Sequence, residues 1–363
     1  MGTERNVISA MKNPAGQGVI ADLRSEAVAP LHPLVRQALA AAPDGNDAYD
    51  EDEAVLGLEE HLKAMFGMRT ALFVPTGRLA NALAAGILGG LHSEMLCELN
   101  AHIVRSEYGL SSRLWGTQTR TFSSDRGRVA PENVLPLLRP LENTTVRTTL
   151  VCVEDTHGLE GGVAQDTDAL RSTAALLKER SIQFYCDGAR IWYANVRHGV
   201  PWTFYGEVYD GISVSLVKGV GAPAGAAILL REDRRSELRD LRRMAGGAWV
   251  RPGPLAAAAL CALEVNRDDA RADCANAALL ADHLRSTCPG LEVRQETNIV
   301  MFDVPDAGDY FERCRAAGVM VFRFTPSRIR AVTHRGISSD DIGRAARLMC
   351  GVYREVPQGG PAS

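Results

Sequence analysis

Lys218 stands directly after the apolar run "GISVSLV" and directly before the glycine- and proline-punctuated "GVGAPAG". The run is β-branched and of strand length, and the glycines and Pro223 end it. A lysine at the mouth of a buried strand either reaches water or is paired, neutralised or covalently modified, because a bare buried ammonium is costly. Water is the ordinary outcome. One count argues for the other: the chain has only four lysines, at 12, 63, 178 and 218, in a Lys-plus-Arg total of 40. Arginine neither loses its proton readily nor forms an imine; lysine does both.

Three further polar groups follow strand-like runs. Thr76, Gly77 and Arg78 follow "ALFVP"; Glu154, Asp155, Thr156 and His157 follow "LVCV"; Asp187, Gly188, Ala189 and Arg190 follow "IQFYC". Each alone is an ordinary cap or turn. Ligands of open parallel sheets gather at strand carboxyl ends, so together they point to one shared site. A strand-end lysine, an aspartate about 30 residues before it, a histidine between, and a Thr-Gly turn opening a helix suit pyridoxal phosphate. The lysine would form the Schiff base, the aspartate would keep the ring nitrogen protonated, and the helix N-terminus would offer amides to phosphate. No G-x-x-x-x-G-K-[ST] occurs, and "GVGAPAG" does not fit a dinucleotide fingerprint.

The elements that must position these groups alternate. "TALFVP" (70–75), "TTLVCVED" (148–155), "IQFYCD" (182–187) and "GISVSLV" (211–217) read as strands. "RLANALAAGILGGL" and "TDALRSTAALLKERS" (167–181) read as helices. The alternation predicts an α/β fold with a mainly parallel sheet. Beyond about residue 230 come the charged helix "REDRRSELRDLRRM", the apolar "GPLAAAALCALEVN", and strands in "EVRQETNIVMFDV" and "MVFRFTPSRIRAVTH". The expected division is an arm over 1–20, a large domain over 21–245, a small C-terminal α+β domain over 246–355 and a tail over 356–363.

Composition narrows the class. Of 363 residues, 46% are hydrophobic and 23% charged, with net charge −4, which suits a soluble globular protein with no nucleic-acid footprint. No apolar run is long enough to span a bilayer, and "MGTERNVISAMKNPAGQG" has no signal-peptide core. Eight scattered cysteines without a C-x-x-C pair suit a reducing, cytoplasmic setting. The remaining histidines show no ligand spacing, and no metal site is expected.

Several segments, in order, resemble the L-threonine aldolase and β-eliminating lyase family of fold-type I pyridoxal-phosphate enzymes. "DLRSE" resembles DLRSD, "DAYDEDEAVLGLEE" resembles DVYGEDPTVNRLEE, and "FVPTGRLAN" resembles FVPSGTMAN. "AHIVRSEYG", "EDTHGLEGG", "DGARIWYA", "SLVKGVGAPAG" and "RIRAVTH" have counterparts of the same kind, so the resemblance runs from about Asp22 to about Leu348. It implies a fold-type I large domain, with Lys218 carrying the cofactor, Asp187 at its ring nitrogen and His102 stacked on its ring. Thr76, Gly77 and Arg78 would lie at its phosphate, joined by Arg243. Arg190, Arg330 and Ser25 would bind the amino-acid carboxylate or nearby cofactor oxygens. His157 would approach the substrate hydroxyl, and Glu107 would position a proton or water. It also implies a homo-oligomer, dimer or tetramer, with shared sites and an amino-acid substrate.

The departures cluster at this site. Glu26 stands for an aspartate, Ala27 and Ala29 for threonines, Arg78 for a small hydroxyl residue, Asp155 and Gly158 for asparagines, and Val217 for a serine. "GGAWVR" replaces GGGMRQ, with Trp249 for methionine and Arg251 displaced. The leading expectation is Cα–Cβ cleavage of a β-hydroxy-α-amino acid to glycine and an aldehyde, or the reverse. The alternatives are a biosynthetic relative doing another reaction (β-elimination, transaldol, transamination or decarboxylation) on a different amino acid, and a non-catalytic cofactor-binding homologue. Retention of Lys218, Asp187 and His102 argues against the last.

Overall fold

The computed structural model describes residues 18–140 and 145–355. The chain forms two compact units, one of residues up to Pro30 together with those from Asp268 on, the other Leu31–Arg267. The first described strand of the former unit is the two-residue β1 (Ala21–Asp22).

The larger unit is built on a seven-stranded sheet. Its strands are β2 (Thr70–Val74), β3 (Glu94–Glu98), β4 (Gln118–Phe122), β5 (Thr148–Glu154), β6 (Gln183–Gly188), β7 (Gly211–Ser215) and β8 (Ala226–Leu230). Their order is β2-β8-β7-β6-β5-β3-β4, and β8 alone runs against its neighbours. Strands β2, β3, β7 and β8 are buried along their length and β5 and β6 at all but one residue each, as a sheet covered on both faces requires. Edge strand β4, "QTRTF", is partly exposed. The helix Gly77–Ala84 packs Leu79, Ala80, Leu83 and Ala84 into a core with Leu72, Val74, Cys97 and Tyr185.

The smaller unit carries a four-stranded antiparallel sheet ordered β12-β13-β10-β9. These are β9 (Val293–Gln295), β10 (Ile299–Asp303), β12 (Phe322–Arg323) and β13 (Arg328–Val332). Strand β11 (Val319–Met320) pairs in parallel with β1. Helices Asp269–Thr287, Ala307–Ala316 and Ser339–Glu355 bury Leu280, Leu284, Tyr310, Ile342 and Met349 in one core with Leu23 and Phe302.

The α/β class with a mainly parallel sheet matches the expectation. The boundary differs. The helix Gly253–Val265 packs on helices Pro33–Ala41 and Glu53–Phe66 and so belongs to the larger unit, which extends to Arg267 rather than residue 245. The pairing of β1 with β11 draws the N-terminal segment into the smaller unit. Most of the expected 1–20 arm, and all of the 356–363 tail, lie outside the described residues. From Gly18 on, the arm is held: the Ile20 amide donates to the Gly318 carbonyl at 2.8 Å.

Strands β6 and β7 approach tightly just where the first ends. A side-chain carbon on Gly188 would lie 2.5 Å from the Ser213 backbone oxygen and 3.1 Å from Ile212. Backbone cannot step aside as a flexible side chain can. Gly188→Ala is therefore expected to destabilise the protein by about 1–3 kcal/mol, the usual cost of overpacking. Thermal melts of the two proteins check this; an unchanged midpoint contradicts the packing.

Candidate active site

The carboxyl ends of β2, β3, β5, β6 and β7 share one edge of the sheet, because only β8 is reversed. Their polar residues meet there. Asp187 ends β6 beside Gly188, Glu154 ends β5, and Glu98 ends β3. His102 opens the short helix that follows β3, and its amide donates to Glu154 Oε2 at 2.8 Å. Past β7 the Lys218 amide donates to Ser215 Oγ at 3.1 Å, which folds the lysine back over its own strand end. Thr76 caps the helix Gly77–Ala84, its hydroxyl oxygen accepting from the Leu79 amide at 3.2 Å.

Asn81 ties the cluster together. Its Nδ2 donates to Glu107 Oε1 at 2.8 Å and to Asp187 Oδ2 at 2.8 Å. Its Oδ1 accepts from the Tyr185 hydroxyl at 2.7 Å and the Ser213 hydroxyl at 2.9 Å. All four partners are buried. Glu107 Oε1 also lies 2.9 Å from His102 Nδ1, so His102, Glu107, Asn81 and Asp187 form one chain of contacts. The second oxygen of Asp187 accepts from the Ala189 amide at 3.1 Å.

These contacts decide the charges. Burial raises the pKa of Asp187 and the nearby Glu154 adds to it, while His102, Lys218 and the Asn81 hydrogen bond pull the other way; the net is upward. Burial also lifts Glu107 above the usual carboxylate range, against the His102 hydrogen bond. Burial lowers His102, but the Glu107 hydrogen bond and the Asp187 and Glu154 charges outweigh it, and His102 moves up. Burial would raise Glu154, yet the His157 and His102 charges and the Gly158 and His102 amides bring it down. Lys218 and His102 are thus the cations that keep Asp187 closer to its ionised form.

The residues present fit pyridoxal phosphate. A side-chain carbon on Gly77 would meet nothing within 4 Å, leaving the amides of the Thr76–Gly77 turn open to a phosphate. A buried aspartate next to the strand that carries the lysine suits a protonated ring nitrogen. Glu107 Oε2 is buried and has no partner among the described residues, so an acceptor remains toward the site. His102, Glu107 and Asp187 also place ligand atoms within 4.8 Å of one another, as a cation site would. There the Asn81 amide already donates to one oxygen of each carboxylate.

Other expected residues stand as follows. Arg190 is buried beside Gly158, where an added side-chain carbon would lie 2.8 Å from its Nη1 and 3.2 Å from Glu154 Oε1. His157 is fully buried, with Nε2 3.0 Å from Glu98 Oε2. Arg78 is exposed, its guanidinium 5.8 Å from the centroid of the Tyr108 ring. Arg243 does not join the Thr76 turn by its contacts: it pairs with Asp240 at 3.0 Å and reaches the Ala48 carbonyl at 3.4 Å. The buried neighbour is Arg242, fixed by Asp47 and the Phe73 carbonyl. Ser25 and Arg330 lie in the smaller unit. Ser25 Oγ accepts from the Ala27 amide at 3.2 Å, and Arg330 sits 4.8 Å over the Phe322 ring. Sequence reasoning missed Asn81, Tyr185, Ser213 and Glu98. A lone asparagine in the apolar "RLANALAAG" was the available signal.

The architecture is that of fold-type I enzymes. A threonine aldolase of Leishmania major superposes with a TM-score of 0.81 at 15% identity, covering 92% of this chain and 99% of that one. A serine palmitoyltransferase from S. paucimobilis, solved with bound pyridoxal phosphate–myriocin, superposes with a TM-score of 0.73 at 16% identity, covering 93% and 87%. The beta-eliminating lyase model matches residues 22–307, and this chain belongs to that family. It is 30% identical over 333 residues to low-specificity L-threonine aldolase 1 of Arabidopsis thaliana, spanning 88% of this chain and 93% of that protein.

Asn81→Asp tests the network. It sets a third acid against Glu107 and Asp187, replacing the donor that serves both. An acid whose folded pKa is raised costs stability as pH climbs through the range between its unfolded and folded values. The variant is therefore expected to be less stable than wild type, by a margin that grows from pH 5 to pH 8. Asn81→Ala should lose about 1–3 kcal/mol for each buried group left unpaired. Denaturant titrations at the two pH values check both; a pH-independent penalty for Asn81→Asp contradicts the assigned hydrogen bonds.

Proposed function

We propose that this protein is a pyridoxal-phosphate-dependent carbon–carbon lyase that cleaves a β-hydroxy-α-amino acid to glycine and an aldehyde, or runs the reverse addition. The observation that carries the proposal is buried Asp187 under the influence of the Lys218 charge, at the ends of adjacent strands, in a chain related to named L-threonine aldolases. Lys218, Asp187, His102, Thr76 and Gly77 would hold the cofactor. Once bound, pyridoxal phosphate supplies an electron sink for the pair left on the substrate's α-carbon.

The chain's own residues do the rest. Asp187 holds negative charge at a buried oxygen, steadied by Asn81 and Ala189. His102 covers that end of the site and is oriented through Nδ1 by Glu107. Glu107, with its pKa raised, is suited to hold a proton or a water at Oε2. His157 is the base proposed for the substrate hydroxyl. Arg190 supplies a buried guanidinium for the carboxylate, and Ser25 and Arg330 keep the substrate-binding roles that their motifs imply.

Arg78 favours a narrower substrate within this class. Its guanidinium rests over the Tyr108 ring, where a second anionic group of the amino acid could pair with it. Eight free cysteines, six of them buried, suit a cytoplasmic home. Exposed Tyr49, Tyr108, Met244 and Val250 suit a homo-oligomeric surface, dimer or tetramer. No helix among the described residues is long and apolar enough to cross a membrane.

Two measurements test the proposal. With added pyridoxal phosphate, borohydride reduction and peptide mapping should place the adduct on Lys218, and the wild type should release glycine and acetaldehyde from L-threonine. Label on Lys63 or Lys178, or no release from any β-hydroxy amino acid tried, contradicts it. In Arg78→Thr, losing a hydrogen bond to a charged group worth about 1.5–3 kcal/mol should shift amino-acid preference roughly 10- to 150-fold toward threonine. Cofactor affinity should stay unchanged. Loss of cofactor by that factor at constant preference makes Arg78 a phosphate clamp instead.

A further inference from the structure

Glu98 ends β3 and is almost wholly buried. Its Oε2 lies 3.0 Å from His157 Nε2 and also accepts from the Asn100 amide at 2.6 Å. A carboxylate can only accept, so neutral His157 must carry its proton on Nε2. Nδ1 is then a bare acceptor. It is buried and has no partner among the described residues. The turn at Gly127 backs the ring so closely that a side-chain carbon there would lie 2.3 Å from His157 Cδ2. The ring is therefore fixed in place as well as in tautomer. Glu154 Oε2, which accepts the His102 amide, is 4.0 Å from His157 Nε2 and joins the pair to the main cluster.

We propose that Glu98 is the positioning residue of a Glu98–His157 dyad, leaving His157 Nδ1 as the atom that takes the proton of the substrate's β-hydroxyl. The inference rests on the aldolase function proposed above. The hydroxyl proton passes to Nδ1, the O–H pair becomes the second C–O bond of the aldehyde, and the Cα–Cβ pair stays on the α-carbon. That carbon takes up one proton from solvent to become glycine and the imidazolium gives its own proton up to solvent, so the proton count closes. The imidazolium so formed keeps its Nε2–H on Glu98, which is charged oppositely and already in place. Burial opposes a charged ring, but Glu154, Glu98 and Glu160 outweigh it. The neighbouring turn over Asp125–Gly127 adds Asp125 and Arg126 to the charged groups near the ring, and His102 is the other base close by.

The test uses the full-length protein labelled with ¹⁵N-histidine, with His157 assigned by its loss in His157→Gln. The imidazole nitrogen shifts report the tautomer, and their pH dependence reports the titration. The wild type should be protonated on Nε2 when neutral. Glu98→Gln removes the negative charge but keeps an oxygen that can accept both from the Asn100 amide and from Nε2–H, so it should leave the Nε2–H tautomer in place and make His157 titrate at lower pH. The kcat/KM for threonine cleavage should fall about 100-fold, within the range a general base contributes. Its acid limb should shift to lower pH, and Glu98→Asp should recover part of the rate. A wild type in the Nδ1–H form, or a Glu98→Gln protein in which the His157 titration and the acid limb are both unchanged, overturns the dyad. If Glu98→Gln does not fold, the wild-type tautomer and the acid limb of Glu98→Asp decide in the same way. Absence of cleavage by the wild type instead overturns the functional proposal, while the tautomer data still decide whether Glu98 orients His157.

Discussion

One amide side chain holds two buried acids apart and in register. Without Asn81, Glu107 and Asp187 would lose the donor they share and keep only His102 on one side and the Ala189 amide on the other, so burial would push both further toward their neutral forms. With it, each carboxylate has a hydrogen bond, and the amide oxygen is itself held by Tyr185 and Ser213 on β6 and β7. The position of Asp187 thus depends on three elements at once: its own strand, the helix Gly77–Ala84 and the next strand. That helix is set in turn by Thr76, whose cap fixes the turn opposite the acids. The phosphate end and the ring-nitrogen end of the proposed cofactor site are therefore built on one short helix.

The electrostatics follow from the same arrangement. Glu98, Glu107, Glu154, Asp155 and Asp187 are all buried, and so are His157 and Arg190, with His102 half-buried. So many acids in one place would be destabilising if all were charged and bare. The structure separates them by partner. Glu154 receives two backbone amides and sits near two histidines, and its pKa falls; Glu107 receives one amide donor and one histidine, and its pKa rises. Neighbouring carboxyls with pKa values pushed in opposite directions let one hold charge while the other holds a proton, which is what acid–base chemistry near neutral pH requires.

Much of this was legible in sequence because apolar runs ended in chemistry. The strands at Thr70–Val74, Thr148–Glu154, Gln183–Gly188 and Gly211–Ser215 were each flagged by their runs, and the residues just beyond them converge on one sheet edge. Three strands of the seven-stranded sheet went unassigned for physical reasons. "EMLCE" is bracketed by acids that look solvent-facing but are buried, Glu94 by Arg120 and Thr148, Glu98 by His157. "QTRTF" lies at an edge and needs no apolar pattern, and "AAILL" is short and follows a glycine-rich turn. Asn81 and Glu98 escaped notice for a related reason. A buried polar residue is recognisable only by its partner, and the partners lie 106 and 59 positions away in sequence. The same blindness moved the domain boundary: "GPLAAAALCALEV" is a good helix, but only its packing on Pro33–Ala41 and Glu53–Phe66 says which unit owns it.

The departures from the family pattern also acquire a physical order. Gly158 stands where an asparagine was expected, and the space its side chain would need is taken by Arg190 Nη1 and Glu154 Oε1. An asparagine there would force the buried guanidinium away from the end of β5, so the loss of that side chain and the placement of Arg190 are one change. Trp249 stands where methionine was expected and packs on Phe73, ring centroids 5.2 Å apart, while Gly225 leaves the opposing space that Phe73 fills. Phe73 belongs to β2, the strand that delivers Thr76, so the substitution alters packing on that strand. Arg78 alters the open side of the same turn. The changes therefore fall on what surrounds Asp187 and Lys218, while the contacts that position Asp187 are complete. That pattern is why the proposed function keeps α-carbon chemistry at Asp187 and Lys218 and assigns the altered surroundings to a different substrate side chain.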